Sequence, residues 1–165
     1  MGHSAVSGQL TSPAWATDLL FPWIQIFKTI WECSCGNGDM VRSLQKRGLR
    51  VIASDILFGQ NFFSWEPPVH YDAIVTCPTF ALKDRYLERA YELNKPWAFL
   101  LPLETLGTLR RQTLFAEKGM ELICFDQKIP FRQPDTGKNT YTVWCGWFTR
   151  GFHIGRGITY KKVEL

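Results

Sequence analysis

Apolar residues arrive along the chain in short continuous blocks separated by stretches with helical spacing. Phe27, Ile30 and Trp31 predict a short buried strand that runs into a small, glycine-containing turn. From Asp39 to Arg47, Met40, Val41 and Leu44 share one face while Arg42, Lys46 and Arg47 lie outside, which predicts a helix stopped by Gly48. Val51 to Asp55 reads as a second strand ending in an acid, and 57–68 as a loop. Ala73 to Thr76 is a third, buried strand. Residues 82–94 carry Leu82, Tyr86, Leu87, Ala90, Tyr91 and Leu93 at helical spacing, with Asn94 and Pro96 as the stop. A buried strand follows over 96–103, then a helix over 110–119, a strand over 120–125 and a turn-rich basic loop over 128–139. Thr140 to Phe148 alternates strongly and predicts one last strand. Upstream, Thr11 or Ser12 is expected to cap a helix with Pro13 in its first turn, ended by Pro22.

Strands that alternate with helices in this way imply an α/β fold: a mostly parallel, doubly wound sheet with a late antiparallel strand. Residues 1–10, small and polar, are expected to form an arm, 11–149 a single domain, and 150–165 a tail or a contact with another subunit.

The sharp turn Cys35-Gly36-Asn37-Gly38 between the first strand and its helix is where this architecture builds nucleotide sites. Glycines let a ligand approach the backbone, and the helix start offers unpaired N–H groups. Asp55, about 20 residues further on, suits the hydroxyls of a ribose. The turn lacks the third glycine of the dinucleotide fingerprint. Glu104 follows the 96–103 strand and is expected either at the substrate or paired with Arg110 or Arg111.

Composition narrows the partners only modestly. The formal net charge of +4 permits nucleic acid without demanding it. Five cysteines, an odd number within mostly apolar runs, suit reduced thiols in a cytoplasm-like compartment. Cys33 and Cys35 have no second ligand pair at zinc-like spacing, so no metal is expected. No long apolar span predicts a membrane segment.

The joint pattern Glu32-x-x-Cys35-Gly36-x-Gly38, a helix and then a strand ending in Asp55 resembles the first motifs of an S-adenosylmethionine-dependent methyltransferase. Downstream, Tyr71-Asp72-Ala73-Ile74-Val75-Thr76-Cys77-Pro78-Thr79-Phe80 resembles the acceptor segment of the small phage or prophage adenine-N6 DNA methyltransferases. The resemblance covers residues 11–149. It implies the Rossmann-like methyltransferase fold and S-adenosyl-L-methionine as cofactor. Thr11, Glu32, Gly36, Gly38, Asp55, Asn61 and Phe62 would be the cofactor-binding residues. It also implies nucleic acid as partner, DNA more than RNA, with homo-oligomerisation open.

The acceptor segment departs from the family. Asn-Pro-Pro-Phe or Asn-Pro-Pro-Tyr is expected there, and Cys77-Pro78-Thr79-Phe80 stands in its place. Pro78 and Phe80 keep the frame of an acceptor slot, Phe80 at the position that stacks on an extruded base. A thiol at Cys77 is a poor acceptor for an amine N–H. Another methyl acceptor, feeble transfer, or cofactor binding without transfer all remain open, as does consumption of the cofactor by another route. Cys77 as a covalent nucleophile is a further idea, without the companion motifs that would support it. Lys128 and Arg132 in the basic loop are candidates for substrate phosphates.

Overall fold

The computed structural model describes residues 10–133, 135–155 and 158–161, with only the main chain described at Tyr141 and 158–161. Residues 1–9 of the expected arm, Pro134, and 156–157 and 162–165 of the expected tail lie outside the described residues.

Among the described residues seven strands form one sheet in the order β2-β1-β3-β4-β8-β5-β9. They are β1 (Thr29–Glu32), β2 (Arg50–Ala53), β3 (Ala73–Thr76), β4 (Trp97–Pro102), β5 (Glu121–Phe125), β8 (Cys145–Arg150) and β9 (Ile158–Lys161). Pairing is parallel from β2 through β4; β8 runs antiparallel to both β4 and β5. This is the mostly parallel sheet with a late antiparallel strand that the alternation predicts. β1, β3 and β4 are buried at every position, as strands covered on both faces must be.

The two faces divide the side chains by the period of two. Ile30, Ala73, Val75, Ala98 and Leu100 point to the side covered by α1 (Ala14–Asp18), α2 (Phe21–Ile24) and α3 (Asp39–Lys46). Trp31, Ile74, Trp97, Phe99 and Leu101 point to the side covered by α4 (Lys83–Leu93) and α5 (Leu109–Lys118). The chain leaves β1 outward to β2 and then returns to β3 on the other side of β1. The strand order therefore reverses between β1 and β3, and a crevice opens beyond their carboxyl ends.

Five details differ from the sequence expectation, one being that the expected 128–139 loop begins with a strand, β6 (Ile129–Arg132). Thr11 and Ser12 do not cap α1, whose N-cap is Pro13 without a side-chain bond. Thr11 instead bridges to Arg132, N–H to C=O at 2.9 and 3.1 Å, so its backbone belongs to the hairpin. Pro22 starts α2 rather than ending α1, because the first turn of a helix needs no proline N–H. The single last strand divides at Trp144 into β7 (Asn139–Val143) and β8. The Trp144 carbonyl turns aside to accept from Leu103 N at 2.9 Å. β7 pairs with β6 (Ile129–Arg132) in a separate two-stranded hairpin. Finally, residues 158–161, expected in the tail, form β9 alongside β5.

Candidate functional site

The turn after β1 is tied to the end of β2 by main-chain and carboxylate bonds. Ser54 N donates to Glu32 O at 2.9 Å, and Cys35 N to Ser54 O at 3.1 Å. Gly36 N donates to Asp55 Oδ2 at 2.9 Å, and Leu57 N to Asp55 Oδ1 at 3.0 Å. Gly38 sits at φ 81° as the N-cap of α3, a conformation that other residues adopt only with strain. A Cβ there would also lie 3.0 Å from Arg42 Nη1.

These groups surround a cavity of about 240 Å³ in the crevice between β1 and β3. Its wall includes Thr11, Glu32, Gly36, Asp55, Asn61, Phe62, Cys77, Pro78 and Phe80. Ten candidates for cofactor binding or the acceptor slot were named on sequence; all but Gly38, which shapes the turn from behind, lie on this one wall. Lys128 and Arg132 do not line it. Both are exposed on or beside the hairpin, and Arg132 Nε donates to Asn139 Oδ1 at 3.3 Å.

The acids differ in their surroundings. Glu32 is 1% exposed and Oε1 accepts from Ser34 N at 3.0 Å. Burial pushes its carboxyl up from 4.5 to about 7. The Thr76 hydroxyl and Ser34 N pull the other way, and the Asp55 charge adds to the rise. Thr76 Oγ1 is nonetheless buried without a hydrogen bond of proper geometry, so it offsets little of the burial. Asp55 is 2% exposed and spends an oxygen on each of two main-chain donors. Asp39, the third acid, is paired with Arg42. Among the described residues that line the cavity there is no Lys, Arg or His.

The acceptor side is neutral. Cys77 keeps part of its surface on the cavity, yet its sulfur is packed densely enough that burial holds the thiol well above its ordinary range, with Cys145 and Glu32 adding to the rise. The covalent-nucleophile reading therefore has no thiolate to start from. Phe80 meets Phe131 edge to face at 5.4 Å between ring centres. Lys83 Nζ donates to Phe80 O at 3.3 Å and lies 3.8 Å from Glu104. Glu104 thus pairs with Lys83, not with Arg110 or Arg111, which meet Glu88 and Asp84.

Sequence reasoning missed Phe131, Tyr86 and Ile56, all on the same wall. Tyr86 reads as core on its helix, but its hydroxyl reaches Ser34 Oγ at 2.6 Å and its ring stacks on Phe62 at 5.0 Å. Phe62 is accordingly 2% exposed and mainly part of an aromatic cluster. Asn61 Oδ1 is used by Phe63 N at 3.0 Å.

No family model and no curated protein matches the sequence. Solved structures do share the fold. The methyltransferase subunit of a type I restriction-modification system from Streptococcus thermophilus matches 96% of this chain at 12% identity, with a TM-score of 0.59. The modification subunit of a proposed type I restriction enzyme from Vibrio vulnificus matches 98% at 11% identity and 0.54. This chain spans 48% of the length of each. A proposed RNA methyltransferase from Pyrococcus horikoshii matches 84% of this chain and 88% of its own, at 11% identity and 0.53. Among the described residues no helix is long and apolar enough to cross a membrane.

Proposed function

We propose that the cavity binds S-adenosyl-L-methionine and that the chain is a methyltransferase acting on a nucleic-acid base amine of the adenine-N6 type. The observation that carries the proposal is the charge of the wall. A glycine turn feeding a helix ordinarily suits phosphates. Here the carboxyls of Glu32 and Asp55 face that turn, Asp39 is paired with Arg42, and no Lys, Arg or His among the described residues lines the cavity, in a chain of net charge +4. A dinucleotide or nucleoside triphosphate would bring its phosphates against carboxylates. A nucleoside without phosphates, carrying a sulfonium and an ammonium, finds charges of the right sign.

The residues present fit such a ligand. Asp55 stands at the end of β2 for the ribose, its oxygens retaining lone pairs beyond the two main-chain bonds. Glu32 orients the turn and faces the positive end. Gly36 admits the methionine portion, Gly38 holds the turn in shape as the N-cap of α3, and Thr11 closes the cavity from the hairpin side. Asn61 and Phe62 border the adenine end, Asn61 through its amide N–H₂. The cofactor's sulfonium carries its own activation for methyl transfer. The chain's part is to hold donor and acceptor in line and to exclude water. Pro78, Phe80 and Phe131 shape the acceptor slot, with Phe80 and Phe131 presenting an aromatic corner to a base taken out of its stack. Lys128 and Arg132, exposed at the hairpin, are placed for backbone phosphates.

A second reading has its own support. The Cys77 thiol is neutral and a weak acceptor, so the slot lacks the side-chain oxygen that would orient an amine. A chain that binds the cofactor and transfers poorly or not at all is the alternative.

Calorimetric titration with S-adenosylmethionine and S-adenosylhomocysteine tests the first step, and labelled-methyl transfer to single- and double-stranded oligonucleotides tests the second. Binding with transfer supports the enzyme. Binding without transfer to any nucleic acid leaves the degenerate reading, and no binding to folded protein removes both.

A further inference from the structure

A second groove, of about 530 Å³, lies at the opposite end of β1 and β2 from the cofactor cavity. Three residue steps separate Thr29 at this end from Glu32 at the other, about 10 Å of strand. Its wall comprises the turns on either side, with Phe21, Phe27, Lys28, Arg47 and Arg50 among them. The charge is the reverse of the first site: among the described residues three cations line it, and no Asp or Glu does.

The cations are arranged rather than merely present. Arg47 is held by Asp18 at 3.1 Å, and its guanidinium lies over the Phe21 ring at 4.7 Å. Lys28 and Arg50 have no side-chain partner among the described residues, and their backbones are joined, Arg50 N to Lys28 O at 2.9 Å. Asp72, the nearby acid, spends Oδ2 on Lys28 N and Thr29 N, both at 2.8 Å, and pairs Oδ1 with His70. Phe27 is braced edge to face by Phe152 at 4.9 Å.

Two unpaired cations beside a fixed guanidinium–aromatic platform match the repeating chemistry of a nucleic-acid strand. Phosphates meet Lys and Arg, and a base face meets the ring or guanidinium plane. A duplex keeps its base faces stacked and cannot use the platform. We propose that this groove holds single-stranded nucleic acid, with Lys28 and Arg50 on backbone phosphates and Arg47–Phe21 under a base. It rests on the nucleic-acid substrate proposed above, and assigns that substrate a contact remote from the reacting cavity.

The test is fluorescence anisotropy with a labelled 16-nucleotide single strand and the matching duplex, from 50 to 200 mM salt. The proteins are wild type, Lys28→Ala/Arg50→Ala, and Arg110→Ala/Lys118→Ala, which removes the same charge from α5. Thermal unfolding confirms that each variant is folded. Losing two phosphate contacts lowers the slope of log affinity against log salt by about 1.4 for a single strand. Across that salt range wild type then loses about sevenfold more affinity than the groove variant. The α5 variant keeps the wild-type slope. An unchanged slope in the groove variant, an equal change in the α5 variant, or a dependence seen only with duplex overturns the groove while the substrate class stands. No binding of either oligonucleotide to wild type overturns both.

Discussion

Replacing Glu32 by Gln is expected to make the free protein more stable and the cofactor weaker. The carboxyl is 1% exposed, one oxygen has the Ser34 N–H, and Thr76 Oγ1 beside it makes no hydrogen bond of proper geometry. Ionising it there is costly, which is why burial raises it from 4.5 to about 7. The sign follows from that direction. In the unfolded chain the group ionises near 4.5; in the native protein it holds its proton until about 7. Its favourable contribution is complete below pH 4.5 and is lost as pH rises through about 7. At about 1.4 kcal/mol per pH unit, that interval is worth about 3 kcal/mol by pH 8. Glutamine does not titrate, keeps an oxygen for Ser34 N, and offers Thr76 an N–H. The stability difference between variant and wild type should therefore swing by about 3 kcal/mol in favour of the variant between pH 4 and pH 8. Near the transition this corresponds to roughly 6–12 °C. Denaturant unfolding at both pH values reads it directly. The same variant should bind S-adenosylmethionine about tenfold more weakly at pH 8, about 1.4 kcal/mol, with a smaller loss for the uncharged-sulfur product. A stability difference that stays flat between pH 4 and pH 8 would refute the burial argument. A variant that binds both ligands as wild type does would refute the charge argument.

Asp55→Ala removes the acceptor of both Gly36 N and Leu57 N, so calorimetry should show cofactor binding weakened by at least tenfold, with a stability loss on the order of 2–4 kcal/mol in urea titration. Retained affinity would separate Asp55 from the ligand. Cys77→Asn restores an amide oxygen to the acceptor slot and should raise methyl transfer to adenine, read with labelled cofactor; if cofactor binding persists and transfer does not rise, the slot is misassigned. Gly146→Ala places a Cβ 2.6 Å from Ile123 O, a backbone atom of the paired strand that cannot step aside. It should cost about 1–3 kcal/mol in a thermal or denaturant melt, and a neutral result would show that β8 can move away from β5.

The ends of β1 and β3 were legible in the sequence because their chemistry is local. Gly36 and Gly38 stand out where a strand turns into a helix, Asp55 closes the next strand, and Cys77-Pro78-Thr79-Phe80 follows the strand-like run Ala73-Ile74-Val75-Thr76. The hairpin was misjudged because nothing local distinguishes one long alternating strand from two short ones. The division at Trp144 depends on Leu103, some forty positions away in the chain. Thr11 fails as a cap for a similar reason: its partner, Arg132, is 121 positions away in sequence.

Alternation and spacing alone determined the parallel strands β1 to β4, the helices α3 to α5 and the turn that faces a ligand, because those features follow from backbone period and from residues that neighbour one another in sequence. Tertiary structure alone decided the character of the cavity. Phe131 arrives from the hairpin, Tyr86 from a crossover helix, and no cation among the described residues stands on the wall. Whether a carboxylate such as Glu32 is ionised likewise depends on what surrounds it in space, and desolvation is a property of the packed interior that no stretch of sequence carries by itself.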